Sequence, residues 1–590
     1  MLFITAVLLF VRRLRRIHLA SALAASVLLT ACGGGDSSAD KERAQAAAKP
    51  SNDAEAYRFL QQATFGPTPT QAARLKEVGY SQWIDEQLDA PVARSHLQTV
   101  EASAAALNRA GSANANDVVY SWWTHAVRDD GAQLRHRLAF ALSEIFVVST
   151  NTIGNGRTVA SYLDMLTDRS SGTAGPTTYR SLLEGVALHP AMGQYLSHLG
   201  NVKADGTGRV PDENFAREVM QLFSIGLYEL DDSGQPRLVN GKPLESYTAN
   251  DIKGLARVFT GFSWVTPASK AGVPWWKCFW RSAECLDPVV QEVTPMQGYG
   301  PNHEPGAKQF LRSTVQPQPT NAADPGASLR LALNALADHQ NTAPFISRQL
   351  IQRLVTSNPS NAYVSDITQV FRQSGGNLRS VVKAILLHDE ARRPNPSGMS
   401  TYGKLREPLL RMAHLLRAVP HSSERFNSSG GVFYGAIDTS DPASSLGQTP
   451  MRAPSVFNFF RPGFRPPQSA IAAAGLVAPE AQIATETTAL SYANFLSGIL
   501  ESGWGEWNGT TRRNDVVFDY SPWMAKASAP AELIDVIANR LVGQPLDRSA
   551  RTAAITAIES MPQLTDANKR QRVQAAILLV AVSPNFMVQQ

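Results

Sequence analysis

The sequence predicts an all-α fold: one large multi-helix domain with two long ordered loops and little or no sheet. Three observations predict it. Apolar residues recur at helical spacing in segment after segment. No segment sustains a period-2 alternation of apolar and polar residues. At 43% hydrophobic and 18% charged residues, the 590-residue chain can bury a sizeable core and is not disordered as a whole.

The first 31 residues read as a lipoprotein signal peptide rather than as part of the fold. Arg12, Arg13, Arg15 and Arg16 precede an apolar run from Leu19 to Leu29, too short for a stable transmembrane helix. The run ends in Leu29-Thr30-Ala31-Cys32, which resembles a bacterial lipobox, so Cys32 is the expected lipidation site. Met1 to Val11 is a second apolar run placed ahead of the arginines, which suggests a true start further downstream. Residues 32–52 begin Gly33-Gly34-Gly35 and continue polar and Ala-rich, as a flexible tether would. By resemblance to Gram-negative lipoproteins, Gly33 after the cysteine implies sorting to the outer membrane. The expected localisation is therefore the cell envelope, with the membrane a partner through the N-terminal lipid. Removing residues 1–31 leaves 51 basic residues against 50 acidic ones. The pI near 9.0 is then no argument for nucleic acid, and none is expected as a partner.

The domain is expected over residues 53–590. Helical patterns follow one another at 54–66, 70–78, 81–88, 117–127, 131–148, 159–166, 179–188 and 192–199. The next runs from Pro211 to Gly226. At 100° per residue, Glu213, Asn214, Arg217, Glu218, Gln221 and Ser224 share one arc. Phe215, Ala216, Val219, Met220, Leu222 and Phe223 share the other. Asp212 is placed to cap this helix and Gly226 to end it. Burying Phe215, Val219, Leu222 and Phe223 contributes on the order of 6–12 kcal/mol gross. A helix over 248–259 follows. Residues 262–327 are rich in Trp, Pro, Gly and Gln and read as the first long loop. Helices resume at 328–337, 343–356, 364–374, 378–388 and 404–418. The second loop covers 422–467. The C-terminal helices are expected at 479–500, 530–541, 547–560 and 565–582.

With Cys32 taken by lipid, Cys278 and Cys285 remain as a pair in an oxidising compartment, and a disulfide between them is expected. It would contribute roughly 2.5 kcal/mol in the chain-entropy picture.

Several stretches together resemble one bacterial family, domain of unknown function 1800. Tyr57-Arg58-Phe59-Leu60-Gln61-Gln62-Ala63-Thr64-Phe65-Gly66 looks like its N-terminal signature. So do Glu213 to Glu218, Tyr247 to Ile252, Ala256 to Phe262, Asn302 to Lys308, Phe345-Ile346-Ser347-Arg348-Gln349-Leu350, Ala453 to Asn458 and Ser583 to Phe586. The blocks run in order from about residue 55 to the C-terminus. The resemblance implies an exported helical protein of uncharacterised activity. It also implies a gene neighbour, from the family called domain of unknown function 1501, which looks like a sulfatase or alkaline phosphatase and is a candidate protein partner. One departure is His303-Glu304, where the family has His-Asp.

No zincin, diiron, nucleophile-elbow, phosphate-loop or dinucleotide motif is present in the sequence. Chemistry must then rest on a scattered group. The candidates are Glu218 and Asp251 with His303, as a general acid/base pair or part of a metal site. The surrounding polar cluster is Glu213, Asn214, Arg217, Arg257 and Lys308. Glu213 and Glu218 lie about 140° apart around the helix, which suits an Arg217–Glu213 pair better than joint metal binding. The reading placed first for the same residues is a satisfied ionic cluster that locks helices together. Metal and cofactor are left unassigned. The sequence thus supports two functions: a binding or accessory component acting with the sulfatase-like partner on envelope or extracellular polymers, and a hydrolase built on Glu218, Asp251 and His303.

Trp122-Trp123 read as core anchors, and Trp275-Trp276 as core or as a carbohydrate platform. His136, His189, His198, His388 and His414 read as packed or capping residues. Arg452-Ala453-Pro454 and Arg461 to Pro467 form a basic, aromatic loop placed to cover the polar cluster or to bind a partner.

Overall fold

The computed structural model describes residues 48–128, 131–172, 175, 177–320, 322–393 and 401–590. The expected signal peptide, Cys32 and the tether up to residue 47 lie outside the described residues. Among the described residues there are 27 α-helices, and no strand exceeds six residues, so the fold is mainly α. No described helix is long and apolar enough to cross a membrane.

Local chemistry sets most helix starts. Asn52 accepts from Glu55 N–H to open Asp53–Ala63, and Thr68 with Pro69 opens Pro69–Val78. Thr248 and Asp251 form a capping box at the head of Ala249–Val258. The chain builds two large hydrophobic cores. The first gathers Phe59, Trp83, Leu138, Tyr162, Phe215, Val219, Leu255 and Ile346, among others, mostly from residues 56–391. The second gathers Trp122, Trp123 and Phe140 with residues from 409 onward, including Trp504 and Ile577. The helix Gln133–Ser143 serves both, with Leu134 and Leu138 in one core and Phe140 in the other.

The first loop is ordered by short elements, the helices Trp275–Phe279 and Pro288–Gln291 and small hairpins. Cys278 and Cys285 are bridged, with Cα atoms 5.0 Å apart. The strand Lys308–Phe310 lies tight against Ala249–Val258: a Cβ on Gly254 would sit 1.7 Å from the Gln309 carbonyl oxygen. Only glycine fits there. The second loop opens with a strand at His421–Ser423. It joins an antiparallel sheet in the order 421–423, 513–518, 504–508, with Val516 opposite Ser423. Among the elements outside the expected pattern are this sheet and the helix His96–Ala106.

Trp122 and Trp123 are buried, as core anchors should be, whereas Trp275 and Trp276 are exposed. His189 and His388 cap helices, accepting from Ala191 and Glu390 N–H. His198 stacks on Phe215 with ring centroids 3.9 Å apart.

Candidate functional site

The amphipathic helix is shorter than its pattern, Asn214–Gln221: Glu213, not the expected Asp212, holds its N-cap position without a side-chain cap, and Asp212 instead accepts from Asn214 N–H at 2.8 Å in the turn just before it. Phe215, Ala216, Val219, Met220 and Phe223 are fully buried, and Ser224 joins them by donating to the Val219 carbonyl. Arg217 and Glu213 pair as their spacing requires, at 3.4 Å, on a partly exposed face. Such a surface pair contributes below about 1 kcal/mol. Asn214 bonds Ser197 rather than Glu218. Glu218 is buried, and its Oε2 has no hydrogen-bond partner among the described residues. Burial raises its pKa and the neighbouring Arg217 only partly offsets this.

Asp251 spends both carboxylate oxygens on structure. One accepts from Thr248 N–H and its hydroxyl, each at 2.7 Å, and the other from Leu311 N–H at 2.8 Å. Burial works against its charge, but these hydrogen bonds win and hold its carboxyl below the usual range. His303 is fully buried. Its Nδ1 donates to the Thr260 carbonyl at 2.8 Å, and its Nε2 lies 2.9 Å from Ser328 Oγ. Burial, with Lys308 adding to it, lowers its pKa to about 4, so the ring is neutral at neutral pH. Glu304 N–H donates to Thr260 Oγ1, and Lys308 Nζ lies 3.4 Å from the Gly306 carbonyl. Burial brings Lys308 down to about 8. Arg257 reaches the Ala307 carbonyl at 3.5 Å. The structure thus gathers Arg257, Thr260, His303, Glu304 and Lys308 into one group that fastens the first loop to the helix end. No hydrogen bond or ion pair among the described residues joins Glu218, Asp251 and His303 to one another. No group of three or more His, Cys, Asp or Glu among the described residues is spaced to hold a metal ion.

A cavity lies elsewhere on the same helix. A cleft of about 410 Å³ opens where the helix ends, at Gln221, Leu222 and Gly226. Its second wall is the helix Thr342–Leu354, through Phe345, Arg348, Gln349, Gln352 and Arg353. Its third is the second long loop, through Val456, Phe457, Arg461, Pro462 and Gly463. The helix ends at Gln221, short of the expected Gly226, which turns the chain beyond it at φ +70°; a Cβ there would press to 2.8 Å on the Phe345 ring, so glycine shapes the rim. Gln352 Nε2 donates to the Pro462 carbonyl at 3.5 Å and ties the loop to the wall.

The floor of the cleft is charged. Glu144 accepts from Asn458 Nδ2 at 3.0 Å and faces Arg353 Nε at 3.7 Å. Behind them Lys404 pairs with Glu480 at 2.9 Å, Glu407 accepts from Gln448, and Arg137 donates to the Arg353 carbonyl, all buried. Burial, reinforced by the Glu407 carboxylate, raises the pKa of Glu144. Sequence reasoning missed this cluster. Its signal was a lone carboxylate inside the apolar run Leu138 to Val148, and a lone guanidinium inside Leu350 to Val355. The second loop does cover a polar cluster, but this one rather than the group around His303.

Fold and cleft together define a mainly α-helical protein with an arginine- and amide-lined ligand-sized cleft on a buried ionic floor. The family model described as protein of unknown function (DUF1800) matches residues 58–588, nearly the whole chain, and the chain belongs to that family. No curated protein and no solved structure matches it.

Proposed function

We propose that this protein is a lipid-anchored, extracytoplasmic binding component of the cell envelope. It presents its cleft to a segment of an envelope or extracellular polymer and acts beside a sulfatase- or phosphatase-like partner of the DUF1501 kind. One observation carries the binding reading. Two of the sequence blocks that carry the family resemblance, Phe345 to Leu350 and Ala453 to Asn458, supply cleft walls, and the helix of a third, Glu213 to Glu218, ends in it. Blocks distant in sequence meet at a concave, largely apolar site with a few polar groups, the usual form of a ligand pocket. The lipobox ending in Cys32 supports the anchor, and the family's gene neighbour supports the partner.

The test uses the full-length protein in its envelope. Crosslinking followed by pull-down recovers the DUF1501-type protein, and Cys32→Ala releases the chain from the membrane fraction. A soluble wild-type chain, or recovery of no such partner, overturns the anchor or the partnership respectively.

A hydrolytic reading is favoured by Glu218, a buried carboxyl with a raised pKa and an unpaired oxygen next to the helix end that forms the cleft. It predicts that wild type cleaves one member of a polymer panel and that Glu218→Gln lowers the rate at least about 100-fold, the scale of general acid/base catalysis. Equal rates for the two proteins eliminate Glu218 from the chemistry.

A further inference from the structure

Three of the four charged side chains that line the cleft are arginines: Arg348, Arg353 and Arg461. Arg353 is committed to Glu144, at 3.7 Å and through its Nη2 to the Glu144 carbonyl. The other two have no carboxylate partner among the described residues. Arg348 makes no hydrogen bond or ion pair there, and its Nη1 is buried and unpaired. Burial alone lowers its pKa. Arg461 stacks its guanidinium on Phe457 at 4.8 Å, which leaves its N–H edge open. A third donor stands beside Arg348. Gln349 is more than nine-tenths buried, and its Nε2 has no partner among the described residues. Buried donors are normally paired, and a buried cation normally more so. Two adjacent residues of one helix therefore hold unmet donors against one cleft, across from an open arginine. The acid on the floor, Glu144, is already held by Asn458 and Arg353.

We infer that Arg348, Gln349 and Arg461 form a binding site for an oxyanion, so that the cleft takes an acidic polymer segment bearing sulfate, phosphate or carboxylate groups. This rests on the reading of the cleft as the ligand site and names its substrate class. A planar guanidinium and an amide N–H are matched to two oxygens of such a group. The apolar walls contributed by Leu222, Phe345 and Phe457 receive the uncharged body of the ligand. A sulfatase- or phosphatase-like partner would act on the same ester groups that the arginines hold.

Calorimetric titration of the full-length protein with length-matched sulfated, phosphorylated, uronate-containing and neutral oligosaccharides tests it, and the arms tell the three anions apart. At least one acidic oligosaccharide binds, and the neutral one does so at least about tenfold more weakly. R348Q weakens the acidic ligand at least tenfold, R348K restores part of the loss, and R461Q lowers the salt dependence. Thermal melting accompanies each variant. Removing a partly buried cation that has no partner among the described residues leaves the melting temperature of R348Q at or above wild type, so lost binding is not lost folding. L222W, which fills the cleft from its apolar wall, blocks every ligand seated there. Equal binding of neutral and acidic chains, unchanged in R348Q but blocked by L222W, overturns the anion site while the cleft remains the ligand site. Binding unaffected by L222W, or no binding of any arm, overturns both.

Discussion

Asp251 and Glu218 carry the same functional group, and their surroundings divide their roles. Asp251 accepts three hydrogen bonds, and the one from Thr248 N–H closes the capping box with the bond that Asp251 N–H donates back to Thr248 Oγ1. Its carboxylate is part of the scaffold, as is the neutral ring of His303 between Thr260 and Ser328. Asp251→Ala is expected to cost about 1–2 kcal/mol of stability through the lost cap and the freed Leu311 N–H. Ligand affinity at the cleft should not change. A denaturation series paired with titration checks both halves, and a loss of binding at unchanged stability would return Asp251 to the site. Glu218 was legible as the odd carboxylate of its helix because the spacing pairs Arg217 with Glu213 and leaves Glu218 about 140° away on the same polar arc. Glu144 was not singled out, because a charge inside an apolar run carries no periodic signature. Only the meeting of Gln133–Ser143 with Thr342–Leu354 brings its partner Arg353 beside it.

The same contrast holds for whole elements. Helices with strong amphipathic patterns and side-chain caps, such as Ala249–Val258 and Leu378–Leu387, fall within a residue or two of their expected ends. The helix His96–Ala106 was invisible because its Ala- and Ser-rich faces barely differ, although Ser95 and Gln98 form a capping box. The strands Trp504–Asn508 and Arg513–Phe518 were hidden by the glycines at 503 and 505 and by a bulge near Val516, which together break the alternation. The second long loop was legible as a loop, but its place over the cleft depends on Asn458 reaching Glu144, a contact across more than 300 residues. Gly226 links element to site. Gly226→Ala forces a side chain into a left-handed backbone and against the Phe345 ring. The expected cost is about 1–3 kcal/mol, with a displaced Phe345 and weaker binding of every cleft ligand, charged or neutral. Melting curves and titration measure the two effects. Wild-type stability in the alanine variant would show that the turn at 226 is not strained by a side chain.

Across the whole molecule, burial of ionisable groups sets the response to pH. Burial lowers the pKa of His96, His189, His198, His303, His339, His414 and His421, with His189 near 3 and His198, His303 and His421 near 4. The unfolded chain protonates its histidines below about 6.5, while the folded chain excludes those protons until much lower pH. Unfolding therefore takes up protons between about pH 6.5 and 4, and these histidines contribute stability above that window which is lost as pH falls through it. Five carboxyls act in the opposite sense. Glu144, Asp164, Asp168, Glu218 and Glu480 have pKa values raised by burial in the folded chain, so each holds a proton there that the unfolded chain has released. Each contributes stability at low pH that declines as pH rises from about 4.5 through its folded value. The histidines outnumber them, so the net slope below pH 6.5 follows the histidines, at about 1.4 kcal/mol per pH unit for each net proton. Urea midpoints measured at pH 7, 6 and 5 are expected to fall steadily. Glu144→Gln removes one opposing proton, so the acid slope should steepen while stability near pH 8 rises. A flat profile, or an acid slope unchanged by Glu144→Gln, would mean that these groups titrate alike in the folded and unfolded chains. The ionic floor of the cleft would then be open to water rather than sealed between the two cores.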